Sequence, residues 1–165
     1  MKKIFAFLIS ISIILFVLLY SIDFMAKDIS YYNNFHNEYK IEEESGLSKE
    51  WIEGASNSLV EFIKSGDKEV LKNHFNKKEI SHMEDVYKLF KLDRIVYTSL
   101  FIITLLVVIY KLFKNDFLFF RYIRKYILIA YISVISFLGI CSLFFSESFV
   151  YFHKLFFNND LWLLD

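Results

Sequence analysis

The sequence has no proline, one cysteine and only four glycines among its 165 residues. A single cysteine, Cys141, cannot form an internal disulfide, which excludes a disulfide-stabilised secreted module. No charge sign is in excess, because 19 basic residues balance 19 acidic ones, so the overall field gives no sign of nucleic-acid binding. The few glycines form no Gly-rich phosphate loop, and no G-x-S-x-G, C-x-x-C or H-E-x-x-H motif occurs.

Long uncharged apolar runs are what the sequence does contain. They cover residues 4–22, 95–110 and 126–146, with lengths of 19, 16 and 21 residues. Runs near 20 residues match a hydrocarbon core about 30 Å thick, and snorkelling basic residues can complete the shorter second run. The predicted fold is all-α: an integral membrane helical bundle with three spans and a helical extracytoplasmic domain, not a soluble globular protein.

The first apolar run has an alternative interpretation as a cleavable signal peptide, since Lys2 and Lys3 supply a basic start. Its 19 uncharged residues exceed the roughly 7 to 15 of a signal core, and no A-x-A pattern follows it. We therefore predict that this run is a retained membrane anchor.

Lysine and arginine set the predicted orientation. The N-terminal lysines and the five basic residues of segment 111–125 are predicted on the cytoplasmic side. The predicted organisation is a first span at 1–22, an extracytoplasmic helical domain at 23–93, a second span at 94–113, a cytoplasmic loop at 114–125, a third span at 126–146 and an extracytoplasmic interfacial aromatic segment at 147–165. The localisation is then a multi-pass protein of the cytoplasmic membrane with its N-terminus in the cytoplasm.

Helix signals mark the extracytoplasmic domain. Ser48 is predicted to cap a helix that ends near Gly66. A shorter helix is predicted at 67–75. Asn76, followed three residues later by Glu79, predicts another capped start, and the helix that begins there is expected to continue towards the second span.

The four histidines all fall on the predicted outer side of the membrane: His36, His74, His82 and His153. The first two lie in polar surroundings and are predicted to be solvated surface residues. His153 lies among aromatic residues near the interface, where a polar ring needs a partner. Its plainer interpretation, an interfacial snorkelling histidine, stays open.

His82 has carboxylates on both sides in the chain, Glu79 at i−3 and Asp85 at i+3. On a helix these side chains can reach the imidazole and set its tautomer and basicity. The alternative of an exposed helix histidine among charges also stays open.

Two segments resemble the bacterial lipoprotein intramolecular transacylase family. They read Glu79-x-x-His82-Met83-x-Asp85-Val86 and Phe152-His153-x-x-Phe156-x-Asn158-Asn159-Asp160-x-Trp162-x-Leu164-Asp165. The segment Ser45-Gly46-Leu47-Ser48-x-Glu50 is also similar to that family, so the resemblance spans nearly the whole chain.

The resemblance implies an integral membrane enzyme of Gram-positive type bacteria, with its active site on the outer face. Such enzymes move the sn-2 acyl chain of a diacylglyceryl-cysteine lipoprotein to the α-amine of that cysteine, which gives a lyso-form lipoprotein. It implies catalytic roles for His82 and His153. As residues that support these two, we predict Asp85, Glu79, Asn159, Asp160 and Trp162. The implied partners are diacylated bacterial lipoproteins and membrane lipid, with no nucleic acid, cofactor or metal; the oligomeric state is left open.

One departure from the family pattern keeps two other functions in view. Family members typically continue past the Trp-x-Leu-Asp motif with a proline and a fourth span, whereas this sequence stops at Asp165. The main alternative is therefore a non-catalytic small membrane adaptor or an inactive short homologue. A third hypothesis is a metal hydrolase that uses His82, His153 and Asp85, which are acceptable zinc ligands but have no recognised metal spacing.

Overall fold

A computed structural model describes residues 2–163 of the chain. These residues form seven α-helices, one 3-10 helix and no strand, which confirms the all-α prediction. The helices are α1 (Lys2–Met25), α2 (Ile29–Glu38), α3 (Ile41–Ser45), α4 (Lys49–Ser65), α5 (Lys77–Phe113), α6 (Phe117–Leu143) and α7 (Phe145–Phe156), with the 3-10 helix (Lys68–Leu71) between α4 and α5.

Three of these helices, α1, α5 and α6, are long and apolar enough to cross a membrane. Protein covers little of their apolar stretches, and none of the most apolar stretch of α5 is buried. In lipid, an apolar side chain gains no hydrophobic free energy from burial against protein, so such exposure is expected of a membrane-spanning helix. The prediction of three spans is confirmed by the length and the apolar composition of these helices.

The chain divides into two compact units, and the first holds most of the apolar helices: residues up to Tyr20 and from Asp93 to Phe156. Its small core consists of Ala6 and Ile9 of α1 against Phe119 of α6. The hydroxyls of Ser12 and Thr104 lie 3.0 Å apart, so a polar contact joins α1 to α5 where lipid supplies no hydrogen-bond partner.

The second unit contains residues 21–92 and 157–163, and most of its buried residues lie on α4. Ser48 accepts a hydrogen bond from the Trp51 backbone N–H at 3.3 Å, which confirms the predicted cap. Gly66 ends α4 with a φ of 76°, also as predicted. A Cβ at Gly66 would come within 2.5 Å of the Tyr87 ring, so glycine lets α5 approach the end of α4 closely.

Two segments differ from the sequence expectations in their secondary structure. The helix predicted at 67–75 is only the 3-10 helix Lys68–Leu71, followed by a turn. The predicted loop 114–125 is mostly helical, because α6 begins at Phe117, where Asp116 caps it. Basic residues mark the edge of an apolar run, but they do not end a helix. The predicted continuation from Asn76 into the second span is confirmed, since α5 runs unbroken from Lys77 to Phe113.

Candidate functional site

The predicted site residues occupy three segments. Glu79, His82 and Asp85 lie on the first turns of α5, and His153 lies on α7. The remaining three belong to the segment 157–163, which follows α7: Asn159, Asp160 and Trp162. The last residue of the family-like motif, Asp165, lies outside the described residues.

Glu79 closes the start of α5. Its carboxylate accepts the Asn76 backbone N–H at 2.7 Å, while the Asn76 side chain accepts the backbone N–H of Glu79 at 3.0 Å. This reciprocal pair is a capping box, which satisfies backbone donors that a helix start leaves unpaired. Glu79 therefore stabilises the start of the helix that carries His82.

Asp85 links α5 to the segment 157–163. Its carboxylate accepts a hydrogen bond from the Asn159 side-chain amide at 2.9 Å and another from Lys88 at 2.7 Å. These donors, Lys88 first and Asn159 second, hold the pKa of the Asp85 carboxyl below its usual range, because both stabilise the charged form. Asp85 is therefore a fixed anion three residues from His82.

His82 is held by an aromatic contact from the same segment. Its ring lies 5.2 Å from the Phe157 ring in an edge-on arrangement. Phe157 is only 8% exposed, as is Trp162, so both ends of the segment are anchored by buried aromatic side chains. Sequence reasoning missed Phe157, because no local pattern shows against which distant helix an apolar side chain packs.

A polar contact also attaches the end of segment 157–163 to α5, because the Lys78 ammonium donates to the Leu163 backbone carbonyl. Within the segment, the side-chain oxygen Oδ1 of Asn159 accepts the Leu161 N–H at 3.1 Å in a tight turn. Asp160 is exposed on this turn. The structure thus brings the Glu79–Val86 motif and the end of the second motif together within one unit.

His153 has a different environment, on an amphipathic helix of the first unit. Its Nδ1 lies 2.7 Å from the backbone carbonyl oxygen of Phe149. A carbonyl can only accept, so Nδ1 carries the hydrogen and the neutral ring has its lone pair on Nε2. The rings of Phe149 and Phe152 lie 4.1 and 5.4 Å from the imidazole.

An apolar groove adjoins His153 between the end of α6 and α7. Its volume is about 870 Å³, within the range of pockets that hold small organic molecules. Phenylalanine and leucine side chains make most of its wall, and Cys141 and His153 also line it. The groove can accept hydrocarbon next to a basic nitrogen.

The prediction that His36 and His74 are solvated is wrong, because both are partly buried against α4. The Ser56 hydroxyl lies 3.3 Å from His36 Nε2, and the Ser58 hydroxyl lies 3.2 Å from His74 Nδ1. A Cβ on Gly54 would approach His74 to 2.7 Å, so that glycine is what admits the ring. Serines spaced along one helix gave no signal of these partners.

No three His, Cys, Asp or Glu side chains within residues 2–163 are grouped so that they could hold a metal ion. The geometry of this part of the chain therefore offers no support for the metal hydrolase hypothesis.

The sequence model of lipoprotein intramolecular transacylase Lit matches residues 7–165. The chain belongs to this family. No curated protein and no solved structure shows significant similarity to it. Membership in Lit assigns the chain to lipoprotein transacylases, and the three apolar helices agree with a membrane location for that activity.

Proposed function

We propose that the protein is an intramolecular transacylase that moves the sn-2 acyl chain of a diacylglyceryl-cysteine lipoprotein to the α-amine of the same cysteine. The observation that carries the proposal is the attachment of segment 157–163 to the His82 helix, through Asn159 to Asp85 and Phe157 to His82. It joins the two motifs that carry the resemblance to the family, and it places a fixed carboxylate three residues from the His82 ring.

The reaction needs proton transfers but no oxidant, reductant or external cofactor. The amine nitrogen attacks the ester carbonyl carbon and forms the new C–N bond, and the bond from that carbon to the glyceryl oxygen breaks. The amine loses a proton and the glyceryl oxygen gains one. Amine and ester belong to one molecule, so positioning replaces much of the entropic cost of bringing them together.

His153 is the proposed base. An α-amine has a pKa near 8, so an imidazole is a suitable partner for its proton. The bond from Nδ1 to the Phe149 carbonyl assigns the lone pair to Nε2, and this fixed tautomer favours His153 for the role. His82 is then the oxyanion donor and the acid for the leaving oxygen. The same chemistry also works with the two roles exchanged.

The other site residues support these two. Asp85 holds a negative charge that favours protonated His82, and Asn159 keeps that carboxylate in place. Buried Trp162 anchors the segment, and exposed Asp160 is available for contact with the lipoprotein. Glu79 contributes by starting the helix.

The proposed topology places the N-terminus in the cytoplasm and the active site on the outer face of a bacterial cytoplasmic membrane. Within the first unit, Lys2 and Lys111 both contact the carboxylate of Asp116, at 3.5 and 2.9 Å. This supports the assignment of the N-terminus and the α5–α6 turn to one side. Both carry the lysines that the cytoplasmic side favours.

The test is mass spectrometry of lipoprotein N-terminal peptides from a bacterial host that makes diacylglyceryl lipoproteins and has no N-acylating enzyme. We expect N-acyl, mono-O-acyl cysteine with the unaltered chain. His82→Ala and His153→Ala should each lower it at least about 100-fold, the usual contribution of a general acid or base. His36→Ala is the matched control, because His36 is a histidine outside both motifs and its ring lies beside the Ser56 hydroxyl.

Unchanged diacylglyceryl cysteine, with the protein confirmed in the membrane, would reject the transacylase and favour the non-catalytic adaptor. Full product with both histidine variants would keep the activity but reject the two proposed residues.

A further inference from the structure

The groove between α6 and α7 has a defined position relative to His153. α6 ends at Leu143 and α7 begins at Phe145, and residues of both helices line the one groove, so the chain turns at Phe144, which we call the corner. His153 lies eight residues along α7 from that corner, or roughly 12 Å at the helical rise. Cys141 lines the groove on α6, two residues before the helix ends. The groove therefore extends from the imidazole of His153 towards the corner, where apolar side chains and the Cys141 thiol line it.

The wall chemistry excludes most classes of occupant. Lysine and arginine are missing from the groove lining in the described chain, so a phospholipid headgroup finds no cation there. The polar side chains of the wall are His153 and a few hydroxyls, among them Ser142 and Ser148. A peptide in this groove would leave backbone donors and acceptors unpaired, which is costly away from water. A hydrocarbon chain has no such groups.

We propose that this groove holds the acyl chain that is transferred, with its ester at His153 and its methyl end towards Cys141, and that the corner limits the chain length. The inference rests on the proposed function. It identifies the occupant as the acyl chain of the lipoprotein substrate, and not as a bulk membrane lipid. Both chains end in an ester, but only the lipoprotein carries its own attacking α-amine, whose proton needs a base, and the groove lining has no cation for a phospholipid headgroup.

The corner should be the part of the groove that measures length. A chain whose ester is fixed at His153 places successive methylene groups along α7, and longer chains reach the α6 face at Cys141. Bulk added at Cys141 shortens the groove from its far end and leaves the His153 end unchanged. A large side chain there should therefore discriminate against long chains more than short ones.

The test uses the full chain in lipid vesicles with a synthetic diacylglyceryl-cysteine lipopeptide whose sn-2 chain carries a terminal diazirine. After illumination, mass spectrometry should locate the label in residues 137–156. Cys141→Phe should lower labelling by the long-chain probe roughly tenfold, the effect of about two methylene groups that lose their burial. A short-chain probe should label Cys141→Phe and the unaltered chain equally.

Ile140→Phe is the matched control, because Ile140 is the adjacent residue of α6, is 57% exposed and does not line the groove. It should label like the unaltered chain. Ser142→Leu is a second groove variant in case Cys141→Phe fails to fold, and it should also reduce labelling by the long-chain probe.

Three results would overturn the inference: label spread along α1 and α5, equal labelling of Cys141→Phe and Ile140→Phe, or equal labelling by a phospholipid with the same diazirine chain. The readout does not require turnover. Groove labelling without any N-acyl product would therefore reject the proposed function and keep the groove assignment, while N-acyl product without groove labelling would do the reverse.

Discussion

The two histidines that we propose as catalytic, one in each compact unit, are held in opposite ways. His82 depends on a distant segment, because Phe157 contacts its ring and Asn159 binds the nearby Asp85, 74 residues away in the chain. His153 depends on its own helix, through the Phe149 carbonyl four residues earlier. The first arrangement can be lost without unfolding the helix that carries the histidine, whereas the second lasts as long as α7 does.

Removal of the Phe157 ring should have the largest effect on the segment that holds His82. Phe157→Ala takes away a side chain that is 8% exposed, and buried Phe to Ala changes cost about 3 kcal/mol or more. We expect the opening free energy of residues 157–163 to fall by about that amount, so that their amides exchange with solvent roughly 100-fold faster. Hydrogen exchange measured by mass spectrometry would show it.

Phe156→Ala is the matched control for that variant. Phe156 is the preceding residue and is 47% exposed, so its removal should change exchange in 157–163 far less. Equal acceleration by the two variants would mean that the Phe157 contact does not hold the segment on α5.

Loss of the Asn159 amide should have a smaller and pH-dependent effect. Asn159→Ala removes a hydrogen bond to a charged group, and since the Asp85 side chain is 22% exposed we expect about 1 to 2 kcal/mol for segment 157–163 at pH 7. The folded pKa of Asp85 is depressed, so this stability is present above the ordinary carboxyl pKa and is lost as pH falls through the folded value. The difference between variant and parent should therefore shrink below about pH 4.

Exposed Asn158 provides the control, and Asn158→Ala should leave both the exchange and the pKa of Asp85 unchanged. In Asn159→Ala the pKa of Asp85 should rise towards its ordinary value, and in Lys88→Met it should rise further, because Lys88 makes the larger contribution. A carbon-13 titration of the Asp85 carboxyl reports these shifts. An unaltered pKa in both variants would show that neither donor binds the carboxylate.

Local features of the fold could be predicted from the sequence. Helix ends are the clearest case, because each depends on residues within one turn of each other. The examples are the cap at Ser48, the C-terminal glycine Gly66 and the capping box of Asn76 and Glu79. Uncharged runs likewise identify the three apolar helices, since membrane thickness fixes their length.

Contacts between distant segments could not be predicted in the same way. The resemblance pointed to Asp85 and Asn159 as separate motif members, but neither periodicity nor spacing shows that their side chains bind each other. Phe157 was missed for the same reason, and so were the serine partners of His36 and His74. Helical periodicity indicates which face of a helix is apolar, but the partner of that face depends on the packing of the whole unit.

The smallest expected effect concerns the tautomer of His153, which should not change when the segment that holds His82 is released. This tests directly whether the two histidines are held independently. Because its Nδ1 donates to the Phe149 carbonyl, the neutral ring should carry hydrogen on Nδ1 and the lone pair on Nε2. Nitrogen-15 shifts of labelled histidine, assigned by loss of the signal in His153→Gln, should show this form above the imidazole pKa. They should remain the same in Phe157→Ala, since a bond within α7 does not need the segment that holds His82. A neutral ring protonated on Nε2 would contradict the assignment, and Nε2 could then not accept the proton of the amine.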